Sequence, residues 1–254
     1  TLRETPTKGG SAILSGRRVW PFLRRLAEGH KLRKKEPLLI VLPTPLLPHR
    51  SLLWGQDQKY DWPRDRYQGD YEFYGNNPQQ RAELILFLHF LLDPPALIVF
   101  SGDVHHGSVI DGLYVYGNSL EAIYKGKGDW AMRVAQVTSS PIKNVQHDIF
   151  EEKHGVGPLS TDKGNLGESV VPQVENQYAT TENTVIALRA EAQKLPGLLG
   201  RKTYIFENHL CVVDIPQTDV GTLDVLFVGV KNGALATAST SMSLKNKPSS
   251  FQPP

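Results

Sequence analysis

Two short apolar runs, PLLIVLP (37–43) and ALIVFSGD (96–103), constrain this chain more than any other feature. Each is a continuous aliphatic block, too short for an ordinary helix and bounded by proline or Ser-Gly. That is the pattern of a strand buried on both faces. Between them, QQRAELILFLHFLLD (79–93) places its apolar residues at helical spacing, with Pro78 in its first turn and Pro94-Pro95 ending it. Strand, helix, strand in this order predicts a parallel βαβ unit and an α/β fold. Ligands of such units bind beyond the carboxyl ends of the strands.

The second run opens at such an end into SGDVHHG (101–107). Asp103 and His105 are two apart and share a face if the strand continues, with His106 on the other; in a loop leaving the strand, all three can converge. A carboxylate beside an imidazole suits a divalent or trivalent metal. The alternative is a strand-end Asp that caps the next turn, with its histidines in solvent.

The rest of the chain divides around this unit. An amphipathic helix is expected over 17–29, its apolar stripe formed by Trp20, Phe22, Leu23 and Leu26. Residues 1–35 carry ten Lys/Arg against two acids, which reads as the solvated face of that helix, so nucleic acid is not an expected partner. Residues 44–77 are rich in Pro, Gly, Asp and aromatics and read as an ordered functional loop. Beyond 108 the runs SVIDGLYVYG, WAMRVAQVTSS, KTYIFEN, HLCVVDI and LDVLFVGV predict antiparallel strands, and TENTVIALRAEAQK (181–194) predicts a helix. A polar insertion is expected over 145–178 and a solvated tail over 243–254. The whole reads as one domain of 254 residues.

Several classes are excluded. With one cysteine, Cys211, there is no internal disulfide and no cysteine-based zinc cluster. No run approaches the roughly 20 apolar residues of a membrane helix, and the opening TLRETPTKGG has no apolar core of a signal peptide. The compartment stays open. Walker and Rossmann glycine loops are absent, as is a G-x-S-x-G elbow, which argues against nucleotide-dependent transferases and serine hydrolases. His89 is expected to be a satisfied core histidine and Cys211 a buried, inert thiol.

The stretch ALIVFSGDVHHGS, followed by MRVAQVTSSPIKN (132–144), resembles the metallophosphoesterase superfamily. The nearer likeness is to the C-terminal half of PhoD-like alkaline phosphatases and phosphodiesterases. There an apolar strand ends in Ser/Thr-Gly-Asp-x-His, and a later strand ends in Gln-x-Thr-Ser-Ser-Pro-x-x-Asn, here Gln136 to Asn144. An acidic and aromatic loop precedes an amphipathic helix, here DYEFYGNNPQQRAELILFL, with Arg81 in the arginine position. The usual Trp-Asp-Gly-Tyr core of that loop is not reproduced.

The resemblance implies an α/β/β/α sandwich and hydrolysis of phosphate mono- or diesters by a metal-bound hydroxide. It implies two or more metal ions, of iron, manganese, zinc or calcium. Asp103 and His105 would be metal ligands, His106 a ligand or an acid to the leaving group, and Arg81 a contact to phosphate or a brace for the loop. The superfamily also draws on Asp-x-His and Gly-Asn-His motifs from earlier strands, and neither occurs upstream of residue 96. The chain therefore reads as part of a longer enzyme, its site completed by a missing N-terminal segment or a second chain. The competing reading is a catalytically incomplete module acting in binding or assembly.

Overall fold

The computed structural model describes residues 16–29, 36–47, 78–102, 106–140, 168–170, 185–199, 204–205, 207–215 and 221–244. The fold is mixed α/β, with a seven-stranded sheet of parallel and antiparallel strands and a second, three-stranded antiparallel sheet. In chain order the described elements are α1 (Gly16–Glu28), β1 (Leu38–Val41), α2 (Pro78–Leu92), β2 (Ala96–Ser101), β3 (Gly107–Gly117), α3 (Leu120–Tyr124) and β4 (Trp130–Ser139). There follow β5 (Glu168–Val170), β6 (Val185–Ala192), β7 (Tyr204–Ile205), β8 (His209–Asp214), β9 (Thr222–Lys231) and β10 (Ala234–Ser243).

The large sheet runs β1-β2-β4-β3-β6-β5, with β7 also paired to β3. β1 and β2 are parallel, Val41 opposite Phe100, with α2 as their crossover, so the expected βαβ unit forms. β1 is an edge strand whose Leu39 and Val41 are exposed, so the expected burial on both faces holds for β2 only. β4 departs from the expected meander: it lies antiparallel to β3 but parallel to β2, with Ser101 opposite Thr138.

β2 shows why its sequence is a solid aliphatic block. Leu97 and Val99 enter one core with α2 residues Ile85, Leu86 and Leu88. Ala96 and Ile98 enter a second core with Leu223, Val225 and Phe227 of β9. Successive side chains leave opposite faces of a strand, and here both faces are covered. At about 1.5–3 kcal/mol for each fully buried aliphatic side chain, this strand is a principal anchor of the domain.

α2 is buried over most of its surface, as its lack of a polar face demands. Its end is defined by Asp93, at φ 48°, whose amide donates to the His89 carbonyl at 2.7 Å. A left-handed residue followed by Pro94-Pro95 cannot extend a helix. In α1, Leu23 and Ala27 pack on the first core, whereas Phe22 is exposed. The expected stripe is thus narrower, because Phe22 lies about 100° around the helix from Leu23.

Residues 185–192 correct the expected helix over 181–194. They form β6, paired with β3 from Val185–Gly117 to Ala192–Ile110. Leu188, Arg189, Ala190 and Glu191 are good helix formers, but Ile186, Ala187, Leu188 and Ala190 are all buried. A strand between two others, covered on both faces, satisfies every one of them, so tertiary pairing overrides local propensity. The stretch expected to be an unstructured insertion contains β5, which pairs with β6; the rest of 145–178 lies outside the described residues.

Two elements were not anticipated. α3 is capped by Ser119, whose Oγ accepts from the Ala122 amide at 3.1 Å. β10 follows β9 through Asn232 (φ 53°) and Gly233 (φ 76°), the pair of left-handed residues that a two-residue hairpin with the twist of its strands requires. The expected tail over 243–254 begins at least two residues early, since Ser243 still pairs with Thr222 and the buried Leu244 donates its amide to the Gly221 carbonyl at 2.8 Å; residues after 244 lie outside the described residues.

Candidate functional site at the strand ends

The carboxyl ends of β1, β2 and β4 and the start of β3 meet at one edge of the large sheet. Ser101 and Thr138 are opposite each other across β2 and β4, and Thr138 is opposite Ser108 across β4 and β3. Residues paired across a sheet share a face. Ser101, Thr138 and Ser108 therefore form one row of hydroxyls on the side that α2 covers. The row beneath reads Val99, Gln136 and Ile110 by the same registers.

Gln136 organises this edge. Its Oε1 accepts the Leu47 amide at 2.7 Å, and its Nε2 donates to the Leu47 carbonyl at 2.6 Å. Nε2 also donates to Thr138 Oγ1 at 3.3 Å, and Thr138 Oγ1 and Ser101 Oγ are 2.9 Å apart and hydrogen-bonded. The side chain of a single strand residue thus pins a backbone segment 89 positions away and links it to the hydroxyl row. Leu47 can come this close because Gly112 has no side chain: a Cβ there would stand 2.6 Å from Leu47 Cδ1.

Residues 44–47 are accordingly buried. The loop expected over 44–77 begins as core rather than as a polar surface segment. The amide of Leu42 continues the β1–β2 pairing onto the Phe100 carbonyl at 2.8 Å, and the Pro43 carbonyl lies 3.9 Å from where a Cβ of Gly102 would be. Thr44 is thus held between two anchors to the strand ends, Pro43 beside Gly102 and Leu47 on Gln136.

His106 lies at the same edge. It is buried, and its carbonyl accepts from the Ser140 amide at 3.3 Å. Asp103 and His105, the expected metal ligands, lie outside the described residues, as do residues 48–77. Among the described residues no group of three or more His, Cys, Asp or Glu could hold a metal ion, so His106 alone of the expected ligands is placed, and the described residues do not make a complete metal shell.

Arg81 is placed elsewhere. It is 1% exposed in the first turns of α2, and burial holds its pKa down while the neighbouring Tyr114 hydroxyl opposes that shift. Tyr114, buried with it, is pushed up to about 12. Tyr114 stands six residues along β3 from Ser108, about 20 Å at the rise of an extended strand. The guanidinium is held beside Tyr114.

The other two described histidines sit in structural settings. His89 Nδ1 lies 3.2 Å from Asp93 Oδ1 at the end of α2, and burial lowers its pKa against the pull of that carboxylate. His209 opens β8, as expected, and is buried. Its Nδ1 lies 2.7 Å from the Glu207 carbonyl, and its ring meets Phe227 edge-on with centroids 5.2 Å apart. The Cys211 thiol is pushed up to about 12 by burial, consistent with an unreactive side chain.

Sequence reasoning singled out the histidines and quoted Ser101, Gln136 and Thr138 only as motif letters, without a role for their side chains. Gln136 and Thr138 alternate with Ala135 and Val137 in β4, and that period of two was the available signal that one face of β4 turns polar near its end. Comparison with protein-family models, with curated proteins and with solved structures yields no match to this chain.

Proposed function

We propose that the chain is a metal-dependent phosphoesterase, with Asp103 and His105 as metal ligands, within a metallophosphoesterase-like sandwich. One observation supports this reading above the others. Among the described residues, eight polar or charged side chains are buried, and six of them are Thr44, Ser101, His106, Ser108, Gln136 and Thr138. Burying a polar group costs about 1–3 kcal/mol unless it is paired. Of these six, Thr44 and Ser108 have no hydrogen-bond partner among the described residues, and a fold that holds such groups beside a paired hydroxyl row has a use for them there. That edge is the ligand-binding end of a parallel βαβ unit.

When bound, divalent or trivalent ions make water nucleophilic near neutral pH and neutralise charge on the phosphoryl group. The residues of this chain would do the rest. Asp103 and His105 would hold the ions at the exit of β2. His106 would give a proton to the departing alkoxide. Gln136 would keep residues 44–47, and the start of the loop after them, against the strand ends.

The test is hydrolysis of p-nitrophenyl phosphate and bis-p-nitrophenyl phosphate by the intact chain with iron, manganese, zinc or calcium added in turn. Metal content by elemental mass spectrometry accompanies it. The expected result is metal-dependent turnover that Asp103→Ala and His105→Ala each reduce at least a hundredfold, with loss of bound metal. Turnover and metal content unchanged in both variants would sink the proposal. Their absence from the intact chain under all four metals would sink it in favour of a binding or assembly module.

A further inference from the structure

We infer that the hydroxyls of Ser101, Thr138, Ser108 and Thr44 form an oxyanion-binding floor for a phosphoryl group, with Ser108 and Thr44 as direct donors. The naming of the anion as phosphoryl rests on the function proposed above; the donor set rests on geometry alone.

The argument is a count of protons. The Leu47 amide fixes the orientation of the Gln136 carboxamide, because Oε1 must accept from it. Nε2 is then a donor, and Thr138 Oγ1 is one of its acceptors. Thr138 and Ser101 own one hydroxyl proton each and spend one on the bond between them. One proton of that pair is left uncommitted within the row. Among the described residues, Ser108 Oγ and Thr44 Oγ1 have no hydrogen-bond partner, although Ser108 is 1% and Thr44 6% exposed. The sheet register puts Ser108 directly beside Thr138 on the same face. Thr44 reaches the same edge through the anchors at Pro43 and Leu47.

Unpartnered hydroxyls at a buried spot can each donate to a guest that offers acceptor oxygens. A tetrahedral oxyanion offers several acceptor oxygens, and hydrogen bonds to a charged acceptor are roughly twice as strong as neutral ones. Neutral donors suffice for such recognition when water is excluded, because each interaction is strengthened in a medium of low dielectric constant. The same buried hydroxyls are a burden to the empty protein, since an unpaired buried donor opposes folding. A purely structural role predicts that removing a hydroxyl lowers stability. A binding role predicts that removal leaves stability equal or higher and weakens the ligand.

The experiment is a calorimetric titration of the intact chain with inorganic phosphate in the presence of a chelator, paired with the melting temperature of each variant. The wild type is expected to bind phosphate at millimolar concentration or better. Ser108→Ala and Thr44→Val are each expected to weaken binding at least fivefold and to melt no lower than the wild type. Thr44→Ser, which keeps the hydroxyl, is expected to retain affinity. Phosphate affinity unchanged in Ser108→Ala and Thr44→Val, or no binding by the wild type at tens of millimolar, would overturn the inference. The two proposals fail separately. Turnover with unaltered phosphate affinity in these variants removes the floor and leaves the enzyme. Phosphate binding that the variants weaken, without turnover under any metal, keeps the floor and removes the enzyme.

Discussion

Replacing Gln136 by leucine tests whether the strand-end site is held together as described. The side chain makes three buried hydrogen bonds, two of them to the backbone of Leu47, which is fully buried. Leucine fills similar volume but leaves the Leu47 amide and carbonyl without partners. Each unpaired buried group costs about 1–3 kcal/mol, and the added apolar burial offsets about 1 kcal/mol. The expected loss is therefore about 3 kcal/mol, a large share of the 5–15 kcal/mol that typically holds a domain folded. Urea unfolding followed by circular dichroism reads this as a fall in the midpoint at unchanged slope. Gln136→Glu adds a pH signature. An ionised Glu accepts the Leu47 amide but opposes the Leu47 carbonyl, and burial raises its folded pKa above the unfolded value of about 4.3. Its stability should thus be greatest at low pH and fall as pH rises through the raised pKa. A loss under about 1 kcal/mol for Gln136→Leu, or no pH dependence particular to Gln136→Glu, would refute the clamp.

Two further outcomes follow from the packing of β8 on β3. Burial lowers the His209 pKa, with the Glu207 carbonyl and carboxylate pulling the other way, and Lys231 lies 3.7 Å from that carboxylate. The unfolded chain therefore binds a proton first, so stability should be full above pH 6.5 and fall as pH drops toward the depressed folded pKa; His89 acts in the same direction. His209→Phe should flatten this slope in urea midpoints between pH 8 and 5, and an unchanged slope would exclude His209 as its source. Gly107→Ala would set a Cβ 2.7 Å from His209 Nε2 and 3.1 Å from Phe227 Cε1, costing about 2 kcal/mol. In a His209→Ala background most of that cost should vanish, and a double-mutant cycle without coupling would contradict the contact.

The placement of the polar groups explains why the candidate site was legible only in part. Asp103, His105 and His106 stand out in sequence because three groups costly to bury directly follow an apolar run. Ser108 and Thr44 do not stand out, since serine and threonine are common and become informative only once burial is known. Gln136 was visible as a motif letter, but its partner Leu47 lies 89 positions away, and no local pattern encodes that contact. Arg81 was visible by its place in a motif, as a contact to phosphate or a brace for the loop, but its burial beside Tyr114 was not.

What the sequence determined by itself was local and periodic. The aliphatic blocks of β1 and β2, the helix between them with its proline stop, and the alternation in β8 and β9 each follow from residues within a few positions of one another. Tertiary structure alone decided the rest. Residues 185–192 became a strand because β3 offered a partner along their length and both faces could be buried. β4 lies parallel to β2 because β3, antiparallel to it, turns the chain back on itself. The hydroxyls of β2, β3 and β4 became one row because sheet register, a long-range property, put them side by side. Burial and pairing are properties of the assembled sheet, and they turned scattered serines and threonines into a candidate site.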